Sequence, residues 1–500
     1  MSTYTDFDVK SILDVMLAFN SETNYSELLN VILTKMMEIT VSDAGTLYII
    51  DGEKLHFRII KNISLNIFQA GDEVKIPPVE LNKNNIENIS AYSALFNEII
   101  KIDDVYESDR FNFNGPKKYD SITGYRTKSM LVLPLCSYWD SKAEVLGVIQ
   151  LLNATNKETG EVSAFGNIFE PPIIPALANI AGNTLSNLIH FKEIKSLFQS
   201  FVSVMAKAID ERSLYNSYHT QNVTKLCTAF AEYISRRFEK GHKFYFNAKR
   251  HEELAMAATL HDIGKIVTPL SVMDKADRLG ARLPSLCYRF EIKKHQLEND
   301  MLRGLMSEDE YNNEAEKLAG ALSFIKKSTD APFLRDEDID KIIAFSSLTY
   351  RNDEGKTVSI LESKDIEALS VARGTLTDGE RKIMQEHASV TSRFLDNVAF
   401  SKYYANVPKF AKSHHEFLDG SGYPHGLKDD EISVEVCIIT IMDIFEALTA
   451  SDRPYKKALP IDSALKILSD MADGGKLHRE LVDLFCESKI WESIDRVVKS

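Results

Sequence analysis

The chain has 500 residues, 44% of them hydrophobic and 26% charged, a globular composition with length for two or three domains. Its 59 Lys and Arg face 73 Asp and Glu, a formal net charge of -14. That balance excludes a nucleic-acid polymer as the expected partner, because duplex binding needs a basic face, but a few local cations can still hold a small phosphorylated ligand. Cys136, Cys227, Cys287, Cys437 and Cys486 are scattered, which suggests a reducing compartment and no thiol metal site. The amino terminus lacks the basic and apolar parts of a signal peptide, and no apolar run approaches the ~20 residues of a bilayer span. A soluble, cytoplasmic chain without membrane contact is expected.

Residues 9–19 and 28–39 carry apolar side chains at helical spacing, and strand-like runs follow at 45–50, 55–60, 129–135 and 146–152. Two flanking helices and an antiparallel sheet make an α+β module over residues 1–183. The ordered segments Ile102-Asp103-Asp104-Val105, Arg110-Phe111, the run from Ser129 to Leu135 and the run from Gly147 to Asn153 resemble a GAF domain. That resemblance implies a sensor domain with a possible small-molecule ligand, or a structural module that supports dimers. The Asn-Lys pattern of cyclic-nucleotide-binding members is only partly present near Asn153.

Residues 176–206 read as one helical linker. Leu177, Ala181, Leu185, Leu188, Phe191, Ile194, Phe198, Phe201 and Met205 recur every three or four positions. Such a stripe suits a parallel coiled coil in a homodimer, and the alternative is packing on the chain's own domains. The rest, 198–500, is mostly helical, and residues 276–372 look like a helical insert with segments at 288–305 and 309–327. The insert is either a substrate-covering or regulatory element or a solvated structural one.

The second part contains the adjacent pair His261-Asp262 within Leu260-His261-Asp262-Ile263-Gly264-Lys265. An Asp has two carboxylate oxygens and can bridge two cations. The pair is preceded by His219 and followed by His387, by His414-His415, by Asp419-Gly420-Ser421-Gly422-Tyr423-Pro424 and by Asp443. Asp443 stands in an apolar helical run, where an unpaired carboxylate is costly and a cation is a natural partner. Lys265 lies one turn beyond His261, placed either to meet a phosphate or as a plain surface lysine. Gly420, Gly422 and Pro424 mark a tight turn, a structural turn or a place where backbone approaches a ligand.

In that order these residues resemble the HD-GYP family of cyclic di-GMP phosphodiesterases. The resemblance implies an all-α HD-type metal-dependent phosphohydrolase domain following the GAF-like one. His219, His261, Asp262 and Asp443 would hold one divalent metal, and Asp262 would bridge to a second completed by His387, His414 and His415. Histidine nitrogen and carboxylate oxygen without sulfur suit iron, manganese, nickel or zinc, with iron or manganese preferred. Asp262 and Lys265 would be catalytic, and Lys265, Gly422, Tyr423, Pro424, Arg453 and Lys456 would contact substrate, the arginine through its planar fork. Cyclic di-GMP would be opened to linear pGpG, with GMP the alternative final product. A mixed cyclic GMP-AMP dinucleotide is the alternative substrate, and a catalytically silent, metal-containing cyclic dinucleotide sensor the alternative role. Tyr218 replaces the Gly that usually precedes the first histidine, and Tyr215 stands where members with a third metal carry Glu, so two metals are expected.

Overall fold

Two helices open the computed structural model, which describes residues 9–22, 24–139, 142–156, 159–166, 172–213, 218–450 and 458–494. They are α1 (Val9–Ser21) and α2 (Tyr25–Thr40); Asn24 starts the second by accepting the amides of Ser26 and Glu27 with its side chain. The strands are β1 (Ser42–Asp51), β2 (Lys54–Asn62), β3 (Ile67–Ala70), β4 (Val79–Glu80), β5 (Ile100–Ile102), β6 (Met130–Trp139), β7 (Lys142–Thr155) and β8 (Val162–Ser163), with α3 (Ile89–Phe96) and α4 (Asn114–Thr123) between them. They pair antiparallel in the order β3-β2-β1-β7-β6-β5, with β4 on β2 and β8 on β7.

The two-residue period of a strand decides which side chain meets which helix. Leu131, Leu133 and Leu135 of β6 pack in one core with α1, α2 and the start of α5 (Ile173–Asp210). Met130 and Val132 join the other core, with Tyr48, Val148, Ile89 of α3 and Phe113. The α+β module expected from sequence is present in Met1–Leu197, the first of the two units into which the chain divides. Helix α5 lies close on β6, since a Cβ added at Gly182 would stand 2.2 Å from the Cys136 carbonyl oxygen.

This packing corrects the single-seam reading of α5. Leu177, Ala181 and Leu185 are buried in the core of their own unit, and Leu188 packs against it, so these four are taken by the sheet. Val202, Ile209 and the partly buried Phe198 and Met205 belong to the core of the second unit. What remains exposed is Phe191, Ile194, Leu197, Phe201 and Val204. Among the described residues no helix is long and apolar enough to cross a membrane.

The second unit, Phe198–Ser500, is a helical bundle. Its helices are α6 (His219–Arg237), α7 (Ala248–Leu260), α8 (Leu270–Met273), α9 (Leu283–Leu302), α10 (Glu308–Asp330), α11 (Asp336–Ala344), α12 (Ser363–Leu369), α13 (Asp378–Leu395), α14 (Val407–Lys412), α15 (Val434–Thr449), α16 (Ile461–Asp473) and α17 (Arg479–Ser488). Val223, Leu226, Phe230 and Ile234 share one face of α6 and pack with Leu254 of α7 and Ile438, Ile441 and Phe445 of α15. A short antiparallel hairpin, β9 (Thr349–Arg351) with β10 (Thr357–Ser359), was not anticipated in the insert.

Leu286, Phe290, Leu297, Leu318, Ile325, Ile342, Ile360 and Leu369 form a separate core within the 276–372 stretch. Its two ends are held together. The buried Arg278 donates to the carbonyls of Ser328, Thr329 and Ala331 at the end of α10 and to Val371 and Ala372 at the exit of the stretch. Lys275 pairs with Glu380 at 2.6 Å, and Glu380 also completes the capping box that starts α13. The entropic cost of closing such an excursion grows only slowly with its length. Arg278→Met should orphan several buried carbonyls and destabilise the insert by about 2–4 kcal/mol, read as faster amide hydrogen exchange in α9 and α10 with α6 and α15 unchanged.

Candidate metal centre

Five segments of the second unit bring seven side chains to one place. His219 is the first residue of α6, His261 caps the end of α7, and Asp262 precedes a short 3₁₀ segment, Ile263–Val267. His387 lies within α13, His414-His415 follow α14, and Asp443 lies within α15. Thr391 of α13 stitches two of these elements together, since its hydroxyl accepts the Gly264 amide at 3.0 Å and donates to the His261 carbonyl at 3.1 Å. Gly264 has to be small here, because a Cβ would stand 2.0 Å from the His387 carbonyl oxygen.

Asp262 is at the centre. Its Oδ2 lies 3.2 Å from His261 Nε2 and 3.5 Å from His219 Nε2, whereas Oδ1 lies 3.4 Å from His387 Nε2 and 3.8 Å from His414 Nε2. One oxygen therefore faces each group of imidazoles. Asp443 is divided similarly, with Oδ1 at 3.1 Å from His219 Nε2 and Oδ2 at 3.9 Å from His415 Nδ1. Thr440, the neighbour that could have satisfied Asp443, gives its hydroxyl to the carbonyls of His414 and Val436 instead.

The ring orientations are set from behind. His261, His387 and His414 each donate Nδ1–H to a carbonyl three residues earlier, at Ala258, Met384 and Ala411, so each turns Nε2 inward. His219 Nδ1 instead meets Glu446 Oε2. Burial alone would raise Asp262, but His261 and Lys265 hold it well below the usual carboxylate range. Burial lowers His387 and His414 and pushes His415 down to about 3, so these three rings are neutral and offer lone pairs.

The donor set fits divalent cations. His261 Nε2 and Asp262 Oδ1 are buried without a hydrogen-bond partner, a costly arrangement unless a cation completes it. His219, His261 and Asp443, and likewise His387, His414 and His415, offer ligand atoms within 4.8 Å of one another. Nitrogen and oxygen atoms about 2.1 Å from a shared metal stand roughly 3–3.5 Å apart, close to the spacings around Asp262 and Asp443.

Lys265 Nζ lies 2.6 Å from Asp262 Oδ2, so in this structure the lysine meets the central carboxylate. The Gly-rich turn adjoins the cluster. The Tyr423 ring is 4.7 Å from that of His415, and its amide donates to the His415 carbonyl. A Cβ on Gly422 would stand 2.4 Å from the Phe417 nitrogen, and Pro424 continues the same loop. Arg453, Lys456 and Tyr215 lie outside the described residues.

Sequence reading missed four supporting side chains. Buried Glu416 accepts the amides of His425 and Leu427 and so holds the Gly-rich turn. Asp210, near the end of α5, accepts the Thr220 amide and hydroxyl beside His219. Arg212 donates to the carbonyls of Lys265, Ile266 and Thr268. Glu446 carried a legible signal: it lies one turn beyond Asp443 on the same apolar helix, so the cost of burying a carboxylate applied to it equally.

Asp262→Ala should bind at least one metal ion fewer per chain than the unaltered protein, by elemental analysis after dialysis, with the helical circular dichroism retained. Unchanged stoichiometry would count against a bridging carboxylate.

A family model described as an HD domain matches residues 364–481. The chain is similar, 45% identical over 97 residues, to the 3'3'-cGAMP-specific phosphodiesterase 3 of Vibrio cholerae serotype O1, covering 19% of this chain and 20% of that protein. It is 37% identical over 113 residues to a cyclic di-GMP phosphodiesterase of Thermotoga maritima, covering 22% of this chain and 30% of that one. The chain thus spans less than a third of the length of each of these relatives. A solved GAF domain from an Acinetobacter phosphoenolpyruvate-protein phosphotransferase is similar at 13% identity and a TM-score of 0.28, covering 39% of this chain and 99% of that one. The matched segment contains His387, His414, His415 and Asp443, and it begins within the last residues of the 276–372 stretch, after His219, His261 and Asp262. The helical unit of this chain therefore carries an HD domain.

Proposed function

We propose that the chain is a metal-dependent phosphodiesterase that hydrolyses a cyclic dinucleotide, with cyclic di-GMP as substrate and linear pGpG as first product. The observation that carries the reading is the buried Asp262 carboxylate, with one oxygen toward His219 and His261 and the other toward His387 and His414. Two divalent ions, iron or manganese, fit this nitrogen and oxygen donor set. Bound there, they supply Lewis acidity and lower the pKa of water.

The chain's own groups do the rest. Asp262 stays ionised under the charges of His261 and Lys265. Lys265 brings a positive charge to the edge of the cluster, where it stabilises charge developing on a phosphoryl group. Tyr423 walls the side next to His415, with Gly422 and Pro424 in the same turn. Arg453 and Lys456 follow α15 in sequence and supply further cations for phosphate.

A second substrate reading has its own support. The Vibrio cholerae relative at 45% identity is named for 3'3'-cGAMP, so a mixed dinucleotide competes with cyclic di-GMP. The test is turnover of each by iron- or manganese-loaded protein, with the nucleotide products resolved. Cyclic di-GMP should give pGpG, and Lys265→Met should lower kcat by roughly 10²–10³-fold. Faster cGAMP turnover would move the assignment to the mixed dinucleotide. Binding of either without product would make the chain a sensor.

The reading includes control by the first unit through a dimeric α5. Exposed Phe191, Ile194, Leu197, Phe201 and Val204 support a helix that pairs with a second copy. Asp210 and Arg212, at its end, bond to the segments that carry His219 and Asp262. A cavity of about 320 Å³ on the α3 side of the sheet, with Tyr48, Phe57, Ser90, Phe113 and Gln150 among its walls, supports a small-molecule ligand for the first unit. Phe191→Glu with Ile194→Glu should give monomers in light scattering and altered turnover together. Dimers that persist, or monomers with unaltered kinetics, would leave the first unit a structural module.

A further inference from the structure

Each inward-facing imidazole needs a partner for its other nitrogen. His261, His387 and His414 find it in the carbonyl three residues earlier. His219 is the first residue of α6, and its Nδ1 meets a carboxylate on another helix. Helix α15 supplies the acceptor. Asp443 and Glu446 lie three residues apart and meet the two nitrogens of this one ring: Asp443 Oδ1 is 3.1 Å from Nε2, and Glu446 Oε2 bonds Nδ1. Glu446 is buried and is steadied through its other oxygen by Asn222 Nδ2, 3.4 Å away on α6.

We propose that Glu446 is a positioning residue of the metal centre, holding the Nδ1 proton of His219 so that Nε2 presents its lone pair to the ion shared with His261 and Asp443. It is not itself a ligand, since it meets the ring at the nitrogen that does not face Asp262 and Asp443. An oxygen that accepts the Nδ1 proton leaves Nε2 with the lone pair that a metal ion needs. The inference rests on the reading of the cluster as a metal centre.

Two near-isosteric substitutions separate positioning from simple packing. Glu446→Gln keeps an oxygen that accepts the Nδ1 proton, whereas Glu446→Met keeps the length of the side chain and removes the acceptor. Manganese titration of the full chain, with thermal unfolding of the metal-free form alongside, reads the difference. The methionine variant should lose about 10–100-fold in affinity for one ion while the other binds normally; the glutamine variant should stay close to the unaltered protein. Equal weakening in both variants, loss of both ions together, or unaltered affinity in the methionine variant would overturn the proposal. If the methionine variant fails to fold, Glu446→Ala carries the same comparison, and unaltered affinity there overturns it equally. An unaltered chain that takes up no manganese, iron or other divalent ion would instead defeat the metal-centre reading, and this inference with it.

Discussion

A buried carboxylate that faces imidazoles on both sides is the constraint around which the helical unit is arranged. Asp262 is fully enclosed, and an ion in that position is tolerated only where positive charge surrounds it. That charge comes from His261 at the end of α7 and Lys265 of the 3₁₀ segment, while neutral imidazoles after α14 and within α13 face the other oxygen; these elements lie far apart in sequence and so have to be packed accurately to converge. Thr391 and Gly264 show how close the fit is, one by bonding to both sides of the His261-Asp262 step and the other by leaving no room for a methyl group.

The same logic explains why polar side chains outside the cluster are buried. Glu416 enters the interior to satisfy two amides of the Gly-rich turn, and Glu446 to orient His219. Neither is an ordinary core residue; each is a buried acceptor whose donors exist because another element needed fixing. The insert is managed differently. It builds its own apolar core, and Arg278 and Lys275 close its base by hydrogen bonds and an ion pair.

Helix α5 divides its apolar surface among several roles. Its first turns are spent on the sheet, its last on the helical core, and its final residues bond to segments that carry His219 and Asp262. Phe191, Ile194, Leu197, Phe201 and Val204 between them stay exposed. Periodicity alone shows that such a helix is amphipathic but not which stretch of the stripe faces which neighbour, because a 3.6-residue repeat is the same whether the partner is a sheet, a bundle or another chain.

Much was legible from the chain alone. Apolar runs located β1, β2, β6 and β7; β6, whose successive side chains enter the cores on both faces of the sheet, reads as a near-continuous run. The short edge strands β3, β4, β5 and β8 and the β9–β10 hairpin carry too few residues for a period and escaped notice. His219, His261, Asp262, His387, His414, His415 and Asp443 were legible as a group because their order resembles that of the HD-GYP family, and Asp443 also because a carboxylate is costly in an apolar helix. Their roles as ligands remain part of the proposal. The chain's local chemistry thus determined which side chains were available for a polar centre. Only the tertiary structure decided which oxygen of Asp262 faces which imidazole, that Lys265 sits on that carboxylate, and that Glu446 stands behind His219, because distances across a bundle are set by the packing of helices that no local pattern relates to one another.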